Sequence, residues 1–173
     1  MRTGTFPDDD PLDTRGRREV ADFLERRDHP SSMRAFSSPM RCAVQTAQAM
    51  GLNATVDQAL ADMDYGKWRG MRISDLAQRE PVSLHAWLND PAVMPPGAEA
   101  FEELQTRIGT WIECLTENGR VLAITHAPVI RAALIHALGL DRKTAFQRRI
   151  APMEPITLHR RPDRRWEPAR PLG

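Results

Sequence analysis

Apolar positions along this chain fall into alternating helix-like and strand-like stretches. A helix is predicted to begin near Asp13 or Thr14, with Val20, Phe23 and Leu24 as its apolar stripe. Pro30-Ser31-Ser32 ends it, and residues 33–36 read as a short strand. Ser38 as N-cap and Pro39 at the first helical position open the next helix, which carries Ala43, Val44, Ala47 and Met50 and stops at Gly51. A brief strand over 54–56 leads into an irregular segment holding Asp62 to Gly70. Helical signals return at 73–78 and 83–88, and residues 91–97 form a proline-rich loop suited to a rim or lid. Phe101, Leu104, Ile108, Trp111 and Ile112 recur at helical spacing within 98–115. Val121-Leu122-Ala123-Ile124 is a continuous apolar run of the kind expected in a strand buried on both faces. It enters a helix over 129–138 closed by Gly139, and 156–158 reads as a last strand. Residues 1–12 read as a loop.

Strands alternating with helices predict the α/β class, as a three-layer α/β/α sandwich. Residues 1–159 read as a single domain and 160–173 as a frayed Arg- and Pro-rich tail, with no internal repeat. In open sheets of this class ligands bind beyond the carboxyl ends of the strands. Two turns fall at that end, Ser37-Ser38-Pro39-Met40-Arg41 and Thr125-His126-Ala127-Pro128. Each follows a strand, opens a helix and places a Pro where a missing N–H is harmless. Backbone N–H groups and the positive end of a helix dipole collect at such junctions, so both suit an anion.

Individual side chains sharpen that picture and leave choices open. Arg41 sits in the first turn of its helix, where a cation is disfavoured by about 0.3–1 kcal/mol unless an anion binds there; a surface arginine tolerating a weak field fits equally. His126 reads either as a donor or acid–base at the sheet's edge or as a satisfied core histidine. Asp62 and Asp64 share one loop; either is placed to be a general acid, and both suit solvated turn residues. His29, His85, His136 and His159 have no comparable context and read as structural or exposed.

Composition narrows the class. The 173 residues are 41% hydrophobic and 27% charged with a net charge of +1, which indicates neither disorder nor bulk nucleic-acid binding. No apolar run approaches the ~20 residues that span a bilayer, so no membrane partner is expected. Cys42 and Cys114 lack metal-ligand or redox spacing and read as buried small hydrophobes in a reducing, cytoplasmic compartment. The oligomeric state is not legible.

At this point the residues resemble a family. Ser37-Ser38-Pro39-Met40-Arg41, followed by Gln45-Thr46-Ala47, resembles the S-S-P-x-x-R-x-x-x-T-A pattern of the histidine phosphatase, or phosphoglycerate-mutase-like, superfamily. The run from Leu60 to Gly70 is similar to its L-x-E-x-x-F/Y-G-x-W-E-G, and Pro95-Pro96-Gly97-Ala98-Glu99 to its P-P-G-G-E, with Arg107 at the matching downstream position. Thr125-His126-Ala127-Pro128-Val129-Ile130-Arg131 resembles S-H-G-x-x-I-R, and Asp10-Pro11-Leu12-Asp13-Thr14-Arg15-Gly16 resembles D-x-P-L-T-x-x-G. The blocks keep the family's order and cover most of the chain. Residues 145–152 are loosely similar to α-ribazole phosphatase-like members. The resemblance implies hydrolysis of a small phosphate ester, with Arg41 binding phosphate, His126 as the second histidine that stabilises the transferring group, and Asp62 at the proton-donor position. It implies no metal or organic cofactor.

The chain departs from the family pattern in several places. Asp62 stands where the family has Glu, Arg69 replaces the Glu of W-E-G, and Ala98 and Ala127 replace glycines. The R-H-G motif that supplies the family's nucleophilic histidine on its first strand is missing. The expectation is therefore a sandwich lacking its first central strand, either because the start is misassigned or because other segments close the gap. Negligible phosphatase activity is expected of the chain as it stands. A non-catalytic phosphate-ester-binding relative is the main rival. A nucleic-acid contact by the Arg160–Arg170 region is a third reading, with only Trp166 as a stacking aromatic.

Overall fold

The computed structural model describes residues 4–26, 33–90, 93–94, 97–115 and 119–169. The proline-rich 91–97 loop, apart from residues 93, 94 and 97, lies outside the described residues, as does His29. Three parallel strands form the sheet: β1 (Arg34–Ser37), β2 (Thr55–Val56) and β3 (Val121–Ile124), in the order β2-β1-β3. Phe36 stands opposite Thr55 on one side and Ala123 on the other. Ala35 and Phe36 point to opposite faces of the sheet, yet both are buried. Layers therefore cover both faces, as an α/β sandwich requires.

Seven helices surround this sheet among the described residues: α1 (Thr14–Arg26), α2 (Arg41–Ala49), α3 (Ile73–Arg79), α4 (Pro81–Asn89), α5 (Phe101–Glu113), α6 (Ala127–Leu138) and α7 (Arg142–Gln147). Helix α5 buries Phe101, Leu104, Ile108 and Ile112, the stripe expected from the sequence. Its Trp111 meets Phe36 of β1 edge to face, with ring centroids 5.6 Å apart. Helix α5 also packs along α6, and Gly109 permits the contact: a Cβ there would lie 2.6 Å from His136 Nδ1. None of the helices among the described residues is long and apolar enough to cross a membrane.

Three expectations need correction. The run 121–124 is not buried on both faces, because every position of β3 is only half-buried. Its physical reason is position, since β3 is an edge strand among the described residues. The chain beyond Arg160 is not frayed as far as Ala169: β4 (Leu158–Arg160) and β5 (Trp166–Pro168) pair antiparallel, and Trp166 packs against the core. There Arg160 donates to the Leu115 carbonyl and pairs with Glu113, while Arg161 pairs with Glu167, so these charges are not a free basic surface. Residues 4–12 form a loop as expected, and it carries a core residue: Phe6 is 1% exposed and meets Tyr65, Trp68 and Trp87 through their rings. Finally, Cys42 is half-buried and Cys114 exposed, not both buried.

Candidate active site

The first anion turn is built differently from the sequence expectation. Helix α2 begins at Arg41, with Met40 in extended backbone as its N-cap, so Pro39 and Ser38 lie before the helix. Ser38 does not cap α2. Its hydroxyl instead accepts the Met40 N–H at 3.2 Å, which is a local turn bond. The Arg41 N–H, expected to be open to an anion, donates to Asp9 Oδ1 at 2.7 Å. An acidic loop thus takes up the first helical donor, in keeping with the preference for negative charge at a helix start. The Arg41 side chain is exposed, and no acidic side chain pairs with it among the described residues.

The second turn meets the first. Ser38 N donates to the Ile124 carbonyl at 2.8 Å, which joins the ends of β1 and β3. His126 is the N-cap of α6, and its side chain does not cap that helix. Its Nε2 lies 2.8 Å from Ser38 Oγ. Its other ring nitrogen, Nδ1, lies 3.6 Å from Asp62 Oδ2, too long for a hydrogen bond but close enough for strong charge coupling. Ser37 and Ser38 are almost wholly buried, while the His126 side chain keeps 14% of its surface exposed.

Asp62 and Asp64 are now distinguished by position. Asp62 faces His126 with a side chain only 8% exposed, and its Oδ1 accepts the Met63 N–H. Asp64 is exposed and organises its own turn, accepting from the Gly66 N–H and the Arg69 guanidinium. Arg69, which replaces an acidic residue of the family pattern, thus pairs with Asp64. Gly66 has φ +52°, and a Cβ there would lie 2.9 Å from the Gly97 and Ala98 backbone. Only glycine lets this turn approach that loop without strain.

Burial dominates the electrostatics. It pushes the Asp62 carboxyl up, against the opposing pull of His126 and Arg107. It pushes the His126 imidazole down, against the pull of Asp62. Both partners are therefore driven toward their neutral forms. A carboxyl held protonated above its usual range is equipped to give a proton, and a neutral imidazole carries one N–H. The Cys42 thiol is also raised, first by burial and then by Asp62 and Asp9, so it stays protonated rather than serving as a thiolate.

Ser38, expected as a helix cap, instead meets His126, and Thr125, given no role of its own in the sequence, donates its hydroxyl to the Leu60 carbonyl just before Asp62. Their signal was present in the two turns, but which side chain faces which required the β1–β3 pairing. No cluster of His, Cys, Asp and Glu suited to a metal occurs among the described residues. A cavity of about 350 Å³ exists elsewhere, between the sheet and the end of α5, lined by Arg34, Phe36, Asp57 and Trp111 among others. It shares no residue with the His126 site and carries none of this chemistry.

Comparison with known proteins fits this geometry. The histidine phosphatase superfamily (branch 1) matches the chain over residues 4–170. The chain belongs to that family. It is 31% identical over 126 residues to the bifunctional protein Rv2228c of Mycobacterium tuberculosis, a match covering 69% of this chain and 34% of that protein. The chain thus spans about a third of that relative's length. It is 23% identical over 141 residues to phosphoserine phosphatase 1 of Hydrogenobacter thermophilus, covering 77% of this chain and 67% of that one. Among solved structures, the α-ribazole phosphatase of Shigella flexneri has the same fold, with a TM-score of 0.79 at 19% identity over 94% of this chain and 85% of that chain.

Proposed function

We propose that this chain carries the supporting half of a phosphomonoesterase site for a small phosphate ester. The bond between His126 Nε2 and Ser38 Oγ carries the reading, because it brings the two anion turns and the Asp62 carboxyl to one place. Arg41, at the mouth of the first turn, grips the phosphoryl group with its guanidinium. His126 stabilises the transferring group through an Nε2 proton, and Asp62 protonates the leaving alcohol. The substrate is a small phosphorylated metabolite, a class consistent with the phosphatases among the relatives. The free thiols Cys42 and Cys114 fit a cytoplasmic setting.

No second histidine is placed to attack phosphorus among the described residues. His85 contacts Asn89, His136 pairs with Glu113 across the α5–α6 contact, and His159 is exposed on β4 opposite Glu167. The reading is therefore binding without appreciable turnover. Calorimetric titration with orthophosphate is expected to show binding that weakens about tenfold or more in Arg41→Ala, a loss of ~1.4 kcal/mol. Hydrolysis of p-nitrophenyl phosphate is expected to stay at background. Efficient turnover by this chain alone would overturn the missing nucleophile, and absence of phosphate binding would overturn the site.

A purely non-catalytic phosphate-ester-binding role uses the same residues. Added imidazole separates the two. It supplies a nitrogen that attacks phosphorus while Asp62 protonates the departing alcohol, and water then clears the phosphorylated imidazole. Imidazole-dependent product release that is lost in Asp62→Asn supports the phosphatase site. Failure of such rescue with phosphate binding intact favours the non-catalytic role.

A further inference from the structure

Three consecutive backbone carbonyls lead into Asp62, and each is held from outside its own loop. Arg107 NH1 donates to the Ala59 carbonyl at 2.6 Å and to the Ala61 carbonyl at 3.1 Å. The Leu60 carbonyl between them accepts from Thr125 Oγ1 at 2.7 Å. In this 3-10 turn (Gln58–Leu60) and its exit, Arg107 thus takes the outer two carbonyls and Thr125 the middle one. Arg107 lies on α5, whereas Thr125 immediately precedes His126.

The guanidinium is itself pinned. Its Nε and NH2 donate to the two oxygens of Glu99 at 3.0 and 2.9 Å, a bidentate fork that a lysine cannot reproduce. Glu99 is tied in turn to the far side of Asp62: its carboxylate accepts the Asp64 N–H at 3.3 Å, and its own N–H donates to the Asp64 carbonyl at 2.9 Å. Residues 59–64 are therefore anchored on both flanks of Asp62, with one anchor shared with the turn that carries His126.

We propose that Arg107 and Thr125 are positioning residues that mount the Asp62 carboxyl against His126. This rests on the reading of Asp62 and His126 as partners in the phosphate site. Neither positioning residue touches the reacting atoms. The shorter Asp in place of a family Glu makes the mount more important, since a shorter side chain has fewer torsions with which to recover a lost contact.

The test measures the partnership itself and needs no turnover. The titration midpoint of His126 is followed by NMR in the whole chain, with and without Asp62→Asn, to give the shift that Asp62 imposes. Arg107, Glu99, Cys42 and Tyr65 also bear on this pair and are unchanged in that comparison. In Arg107→Lys and Arg107→Met the Asp62-imposed shift is expected to shrink to less than about half, with the lysine giving no rescue because its charge is kept but its fork is lost. Thr125→Val, nearly isosteric, is expected to shrink it as well. An undiminished shift in folded Arg107→Lys or Arg107→Met, or in Thr125→Val, overturns the mount. Should the Arg107 variants fail to fold, Thr125→Val decides it alone. Phosphate binding is a separate measurement, so failure of the mount and failure of the phosphate site are told apart.

Discussion

At the scale of single residues, the site rests on side chains whose protonation is set by burial. Asp62 lies almost out of water beside a histidine that burial keeps neutral, so its ionised form is poorly repaid in the folded chain. Asp62→Asn is therefore expected to stabilise the protein while removing the proposed proton donor, with Tm rising by ~2–4 °C for each kcal/mol gained. The sign follows from the raised carboxyl. Below the ordinary carboxyl value of ~3.8 Asp62 is protonated in both states and carries no such penalty; the penalty grows from there as pH rises to its elevated native value and is constant above it. The gap between variant and parent should thus open in thermal melts as pH rises from ~3.8 to the raised native value and hold steady above it, and a gap that closes over that range would contradict the assignment. The same substitution should lower the His126 midpoint further, since the carboxylate that favoured its protonation is gone. His126 and Asp62, both singled out in the sequence, are brought together by the fold, whereas no contact joins Arg41 to them among the described residues. Ser38 was misread because its hydroxyl looks like a helix cap in sequence, whereas the fold turns it toward His126.

At the scale of elements, β3 differs most from its sequence expectation. Four apolar residues in a row suggest burial on both faces, but a strand's environment depends on its neighbours rather than on its composition. Arg34 N bonds to the Arg120 carbonyl and Ser38 N to the Ile124 carbonyl, so the even-numbered backbone groups of β3 face β1. The N–H groups of Val121 and Ala123 face the other way, where no strand pairs with them among the described residues. Hydrogen exchange should alternate accordingly, with Leu122 and Ile124 protected and Val121 and Ala123 at least about tenfold faster. Uniform protection along β3 would mean that the outer edge is covered. Elements with strong periodicity, such as α5, were readable to within a few residues because one face of a helix must find the core wherever it packs. The hairpin β4–β5 was not, since arginines paired across it look the same in sequence as arginines in solvent.

At the scale of the whole molecule, the N-terminal segment is tied into the core rather than laid over it. The Phe6 ring is shared with Tyr65, Trp68 and Trp87, and its backbone bonds to Met71. From the same segment Asp9 reaches the start of α2, so the anchor of the loop and the entrance to the site are linked. Phe6→Ala is expected to cost ~3–5 kcal/mol, read as a lower midpoint in urea unfolding followed by circular dichroism. Loss of less than about 1 kcal/mol would show that this cluster does not bind the segment to the domain. By itself the sequence determined the alternation of helix and strand, the apolar face of α5 and the two strand-to-helix turns, because these depend on spacing within a few residues. It also carried the family resemblance through short motifs in order. Only the tertiary structure decided that His126 lies between Ser38 and Asp62, that Asp64 serves its own turn and that Arg107 and Thr125 hold the Asp62 loop. Those contacts join residues tens of positions apart, and nothing in local spacing specifies which distant donor will reach which acceptor. The two turns were legible one at a time; the pairing of β1 with β3 brought them together.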